Sequence, residues 1–231
     1  MERKMISKKY IAVLAVMMCL GLQAVAQPVI VEQTARTAKS YYTPEMGLTI
    51  DVGMGYTKGL GDASSYADAT PLPSYNIGVG YVFDEHWRIG LSYQKSYLQQ
   101  DMGPKSFVFE GNQGVSGHAV RNMDFDNILL GGDYSFPVSR WVRPYVGVSI
   151  GMGSVKMDTK VSNTYSFQDS KWMFAVSPEA GIRGFFDKGL TVGYRANVSY
   201  NQYFGTLETV DAKVSSPSYL RIAAGVFVKF L

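Results

Sequence analysis

The closing stretch of the chain, Leu220 to Phe230, alternates strictly in character. Leu220, Ile222, Ala224, Val226, Val228 and Phe230 fall on one face. Arg221, Ala223, Gly225, Phe227 and Lys229 fall on the other. Successive side chains of a strand point to opposite faces, so this stretch reads as a β-strand with one oily face and one small or charged face. An oily face of about ten residues matches the length a β-strand needs to cross a membrane. After the first 26 residues no run of about 18 apolar residues occurs, so the sequence offers no spanning helix there.

The N-terminus suggests export. Arg3, Lys4, Lys8 and Lys9 precede an apolar run from Ile11 to Leu22, and Ala24-Val25-Ala26 fits a small-x-small cleavage pattern. Residues 1–26 therefore read as a cleaved signal peptide, with Gln27 first in the mature chain. The run is shorter than the roughly 20 residues of a spanning anchor. It holds Cys19, the only cysteine, and Val16-Met17-Met18 before it lacks the small residue of a lipoprotein signal. The mature chain is then free of disulfide and thiol chemistry. The signal accounts for four of the 22 basic residues and one of the 19 acidic ones, which leaves the remainder electrically balanced. The basic balance thus belongs to the signal, and no nucleic-acid partner follows from it.

Residues 27–44 lack sustained periodicity and read as a periplasmic lead-in. From residue 45 the alternation recurs eight times. Met46 to Thr57 is the first strand and Tyr75 to Phe83 the second; a third runs from Trp87 to Gln94. In the fourth, Ile128, Leu130, Gly132, Tyr134 and Phe136 share a face. Met123 and Phe125 fall out of phase with it, which predicts either a bulge or the end of the membrane segment near Asp126. Tyr145 to Met152, Lys171 to Phe185, Leu190 to Asn201 and Leu220 to Phe230 complete the set. Pro178 lacks a ladder donor and predicts an irregularity in the sixth.

Asp84-Glu85-His86, Pro137 to Arg140 and Asp187-Lys188-Gly189 form tight turns. Residues 58–73, 96–121, 153–170 and 203–217 form long loops, although Phe107-Val108-Phe109 and Val115 to Val120 have the character of a hairpin prolonging its neighbours. Short and long connections alternate. That is the asymmetry of a membrane barrel, with short turns and both termini on the periplasmic side. Tyr81, Phe83, Trp87, Tyr134, Phe136, Trp141, Phe186 and Phe230 gather beside the short turns as an interfacial girdle. A lipocalin-like soluble barrel would show many Lys and Glu on its second face. Gly, Ser, Thr and Asn dominate there instead, so the expected fold is all-β: an eight-stranded antiparallel transmembrane β-barrel, an up-and-down meander over residues 45–231.

Eight strands enclose a space that side chains can fill. The inward face carries the acids Asp51, Asp133 and Glu179 and the bases Arg88, Arg143, Arg183, Arg195, Arg221 and Lys229. Asp51, Arg88, Asp133, Glu179, Arg183, Arg195 and Arg221 are expected to form a structural charge network closing the lumen, with Glu179 close to Arg195 and Arg221 at a similar depth. The alternative is a narrow anion-preferring pore, since bases outnumber acids. Gly53, Gly55, Gly78, Gly80, Gly151 and Gly153 read as room-makers and not as a nucleotide loop.

Catalysis has little support. Ser116 and His118 near the rim are similar to the residue types of lipid A deacylases, but Gly114 to His118 reads as loop, and no base is placed near an orienting acid. Asp124 and Asp126 are too few for a calcium site. No cofactor or metal is expected. The loops carry mixed charge (Asp62, Asp68, Lys105, Glu110, Lys156, Asp158, Lys160, Glu208, Asp211 and Lys213) and name no partner.

Taken with Arg143-Pro144-Tyr145-Val146-Gly147-Val148 and Pro178-Glu179-Ala180-Gly181-Ile182-Arg183-Gly184, the closing strand resembles the outer-membrane β-barrel domain family of Gram-negative bacteria, of the porin-like OmpX, OmpW and OmpA barrel type. The resemblance implies that Val226, Val228 and Phe230 form the C-terminal signature read by the barrel-assembly machinery, with Leu231 following the usual terminal aromatic. It implies an integral barrel with a structural, surface-interaction or permeability role, in contact with outer-membrane lipid and lipopolysaccharide and open to an extracellular ligand through its loops. It brings no shared catalytic residues.

Overall fold

The computed structural model describes residues 46–68, 73–84, 86–108, 114–139, 141–162, 165–209 and 212–230. The expected signal peptide and lead-in lie outside them, as do Glu85, Glu110, Arg140, Asp211 and Leu231.

Eight strands close into a barrel: β1 (Gly47–Leu60), β2 (Ser74–Val82), β3 (Trp87–Val108), β4 (Gly114–Ser135), β5 (Arg143–Val161), β6 (Tyr165–Phe185), β7 (Val192–Phe204) and β10 (Ser218–Phe230). A one-turn helix, α1 (Asp62–Tyr66), follows β1. A small hairpin of β8 (Thr206–Glu208) and β9 (Lys213–Ser215) follows β7. Neighbours in sequence are neighbours in the sheet, all antiparallel, and β10 closes against β1 with Leu48 opposite Phe230 and Val52 opposite Val226.

Two of the three tight turns are held by aspartates. Asp84 Oδ1 accepts from the backbone N–H of His86 at 2.7 Å and of Trp87 at 2.8 Å. Asp187 Oδ1 accepts from Thr191 and Val192, both at 2.9 Å. An Asp that bonds the backbone just beyond it fixes the reversal without help from the sheet. Leu190, expected to open the seventh strand, sits in the turn with φ 56°, and pairing begins at Val192.

Sidedness follows the alternation. Val52, Val148 and Ile222 are 48, 50 and 56 % exposed on the outer wall, while Thr49, Asp51 and Arg221 are 3, 6 and 3 % exposed inside. The expected girdle packs at the short-turn end: Trp87 on Tyr134, Tyr134 on Phe136 and Tyr81 on Phe83, with ring centroids 4.9–5.1 Å apart. Trp141, ambiguous in phase, lies exposed at the same end.

Two sequence expectations are corrected at the opposite, long-loop end. Residues 96–121 and 153–170 are not long loops; β3 and β4 run through most of the first and β5 and β6 through most of the second. Gly114 to His118 is strand, not loop. No bulge lies at Asp126, because β4 pairs without a break with β3 and β5 from Arg121 to Tyr134. Met123 and Phe125 are both fully buried in the interior. The bulge sits instead between Asp101 and Gly103 of β3. There Gly103 takes φ 64° and its N–H donates to Asp101 Oδ1 at 2.8 Å. The extra residue shifts the phase and sets Phe107 opposite Val115, within ring distance (6.4 Å) of Phe167 on β6. Pro178 opens the β6–β7 ladder, which lapses between Val176 and Glu179 without a change of register.

Candidate functional site in the barrel lumen

Two layers fill the lumen. In the short-turn half, ionic side chains form an alternating circuit. Arg195 Nη2 donates to Glu179, and Arg195 Nη1 lies 4.0 Å from Asp51. Arg88 bridges Asp51 at 2.6 Å and Asp133 at 3.5 Å, and Arg183 closes on Asp133 at 2.8 Å. Three carboxylates and three guanidiniums thus follow one another from β6 through β7, β1, β3 and β4 back to β6. Uncharged groups take further donors and acceptors. Thr49 Oγ1 accepts from Arg88 Nε at 3.1 Å, and Tyr145 accepts from Arg195 Nε at 2.5 Å. Asn197 donates to Glu179 at 2.7 Å, and Ser135 accepts from Arg183. A buried ion pair is tolerable where its leftover hydrogen-bonding capacity is met, and these uncharged groups meet part of it.

Glycines make the circuit fit. A Cβ on Gly78 would lie 2.7 Å from Asp51 Oδ2, and one on Gly80 2.7 Å from Arg88 Nε. Six of the seven residues expected in the network are linked directly. Arg221 stands one step away: it donates to Ser74 Oγ at 2.9 Å and to Asn76 Oδ1 at 2.6 Å, and Asn76 donates to Asp51 at 3.3 Å. It shares a rung with Ser199, which faces Glu179 on the other side. Thr49, Asn76, Tyr145 and Asn197 were legible as inward-facing by alternation, but their partners across the barrel were not.

The long-loop half is filled with oil. Leu98, Met123, Phe125, Val155 and Met157 point inward from β3, β4 and β5 and pack with Tyr203 and Tyr219. Ala63, Tyr66 and Ala67 of the α1 segment enter from above, with Leu207 and Val214 of the β8–β9 hairpin beside them. Tyr66 donates or accepts at Thr159 Oγ1 (2.9 Å) and lies under the Arg121 guanidinium. This contribution was missed, because a one-turn helix in a polar loop has no periodic signal. A layer of amides and phenols separates oil from ions. Tyr219 OH accepts from Gln94 at 2.8 Å and from Asn127 at 3.1 Å, and Tyr203 OH donates to Asn127 Oδ1 at 2.9 Å. Gly153 leaves room for the Tyr203 ring, whose Cε1 would lie 2.6 Å from an added Cβ.

The outer wall reverses at the same height. Above Tyr93 and Ile128, the outward positions hold Lys95, Asp124, Asp126 and Lys156. Lys95 meets Asp126 at 3.1 Å, and that contact raises the Lys95 pKa. Asp124 is raised too, by its own burial, against the pull of Lys95 and Lys156.

His118 needs a second correction. It sits on the outward face of β4 with Nε2 2.9 Å from Asp101, so a base does stand beside an orienting acid. Ser116, however, bonds Ser106 at 2.8 Å. Both residues of the His118–Asp101 pair are more than half exposed. Among the described residues no group of three or more metal-ligand side chains occurs.

No curated protein matches the sequence. Among solved structures, Neisserial surface protein A of Neisseria superposes with a TM-score of 0.55 at 17 % identity, covering 80 % of this chain and 97 % of that one. The attachment invasion locus protein of Yersinia pestis gives 0.48 at 15 % identity, covering 80 and 99 %. The outer membrane protease OmpT of Escherichia coli gives 0.48 at 9 %, covering 81 and 98 %. The profile of the family described as outer membrane protein beta-barrel domain matches residues 12–218. The chain therefore belongs to the outer-membrane β-barrel domain family of Gram-negative bacteria.

Proposed function

We propose that the protein is a closed, non-catalytic outer-membrane barrel whose long-loop half is a rigid platform outside the cell for contact with surface partners. The observation that carries this reading is the double filling of the lumen, ions below and a buried apolar cluster above. A solute would have to part both. The short-turn end then faces the periplasm, as short turns do in this architecture. The barrel-assembly machinery would read β10 with Val226, Val228 and Phe230, and lipopolysaccharide would meet the outer wall around Lys95 and Lys156.

The anion-preferring pore keeps some support from the excess of bases in the lumen, and the two proposals part on conductance. Protein purified from outer membranes and inserted into planar bilayers is expected to give no stable single-channel steps. Reproducible steps would replace the closed barrel with the pore. A deletion strain is expected to lose adhesion to host or neighbouring cells while its lipid A composition stays as in the parent. Altered lipid A, restored by the wild type but not by His118→Ala, would move the reading to a lipid-modifying enzyme.

A further inference from the structure

The outer wall is not equally oily at equal height. A row of paired residues that starts at Trp172 on β6 passes Ser154, Asp126, Lys95, Tyr75, Met54, Ala224 and Ala196. It returns to β6 at Ile182, ten residues nearer the short-turn end. Spread over eight strands, each step along the row descends by about one and a quarter residues. Counted this way, Asp126 stands level with Phe174 and Lys95 with Val176. Asp124 stands level with Trp172, Lys156 just above it, and Phe204 within one residue of it. So β6 and β7 carry Trp172, Phe174 and Phe204, 62, 46 and 55 % exposed, at the levels where β3, β4 and β5 carry Lys95, Asp126, Asp124 and Lys156. The short-turn edge has no such step. Phe83, Phe136, Val192 and Phe230 fall within about one residue of a common level.

One residue along a tilted strand is roughly 2.5 Å of height, which sets Trp172 about 9 Å above Lys95. Lys95 meets Asp126 at 3.1 Å, and Tyr93 OH donates to the same carboxylate at 2.7 Å. These contacts occupy only part of an ammonium's three donors and a carboxylate's lone pairs. Hydrocarbon can satisfy none of the rest, whereas water and lipid phosphates can. An exposed Trp beside a pair of Phe rings belongs at the membrane edge or below it.

We propose that the outer face of β3, β4 and β5 binds lipid headgroups drawn below the level that acyl chains reach on β6 and β7. Lys95 and Asp126 hold the headgroups down, and Trp172 and Phe204 hold the chains high. The bilayer is thinned on one side of the barrel only. The headgroups are those of the outer leaflet, which rests on the orientation proposed above. Conduction by the lumen would remove the closed barrel and leave this surface as it is.

The test uses the full chain purified from outer membranes and returned to phosphatidylcholine vesicles. Cys19, the only cysteine, is replaced (Cys19→Ser). Nitroxide labels are attached through Tyr97→Cys on β3 or Phe204→Cys on β7, of which Tyr97 is the lower by one residue. Collision with oxygen and with a water-soluble nickel chelate reads the depth of each label. The label at 97 is expected to sit shallower than the label at 204 by roughly 5 Å or more. A level boundary requires the opposite order, so a label at 97 as deep as the one at 204 would overturn the proposal. In Lys95→Leu/Asp126→Leu the label at 97 is expected to sink towards the depth of the other, and no movement would overturn it too. The first comparison keeps Lys95, Asp124, Asp126 and Lys156, so it decides even if the double variant does not fold.

Discussion

The two halves of the barrel wall are built from the same strands with opposite polarity. In the short-turn half, Ile128 and Leu130 of β4 face outward and Asp133 faces in. A few residues earlier, Met123 and Phe125 face in while Asp124 and Asp126 face out. The backbone does not change across this switch, since the pairing of β4 with β3 and β5 is continuous. What changes is the solvent outside. Against hydrocarbon, apolar side chains gain nothing by turning inward, so cohesion rests on the hydrogen-bonded ladder and the ionic circuit. Against water, burying Phe125 or Met157 contributes roughly 25 cal/mol per Å². One sheet thus carries a membrane protein at one end and a water-soluble barrel at the other.

The sharpest way to break that comparison is to remove one inward residue from each half. Asp51→Asn leaves Arg88 and Arg195 buried beside a neutral group and is expected to cost about 3–5 kcal/mol in urea unfolding of the detergent-solubilised barrel. Phe125→Ala is expected to cost about 3–5 kcal/mol by loss of packing and a residual cavity. The two losses should differ in kind. Arg195→Gln should recover part of the loss from Glu179→Gln, whereas no charge change should rescue Phe125→Ala. A neutral Asp51→Asn would mean that the circuit does not hold the lower half.

The outer wall gives the next largest contrast. Val148→Arg places a charge against the middle of the bilayer and is expected to cost about 2–4 kcal/mol in lipid. Gln168→Arg, on the exposed face of β6 in the upper half, should stay within about 0.5 kcal/mol of the wild type. Equal costs would mean that the hydrocarbon boundary is misplaced. Between the halves, Tyr219→Phe removes the acceptor of Gln94 and Asn127 and is expected to cost about 1–3 kcal/mol.

The sequence displayed the lower half well and the upper half poorly, for a physical reason. Alternation names a membrane strand when its outward parity is oily, as in Leu48 to Tyr56 or Val192 to Val198. In the upper half the parity is inverted: Leu98 and Met123 are inside, with Tyr97 and Asp124 outside. Judged by the oily-outward rule, those residues look like loop, although the alternation never stops. The inverted phase of Met123 and Phe125 was the one visible sign. The circuit was legible as a set of inward charges but not as a connected series, because its order around the barrel depends on register. The Asp101–His118 contact joins diagonal neighbours of the β3–β4 ladder, in a stretch whose pairing no local pattern announced.

The smallest effect concerns the turn aspartates, and it is read by pH. The backbone N–H groups of Val192 and Thr191 hold the Asp187 carboxyl below its ordinary value of 3.8. Trp87 and His86 do the same for Asp84. At the bulge, the N–H of Gly103 does so for Asp101, with His118 adding to it. A depressed carboxylate contributes stability that is complete above the unfolded value and lost as pH falls through the folded one. Acid below pH 3.8 should therefore loosen the turns at the short-turn end and the bulge near the long-loop end alike, without distinction between the halves. Hydrogen exchange at the Thr191 and Val192 amides is expected to accelerate on that descent beyond the intrinsic pH effect. In Asp187→Asn the excess should disappear while the Trp87 amide keeps it. If the Asp187→Asn amides still showed the acid-dependent excess, the turn would be held by the sheet and not by its own carboxylate.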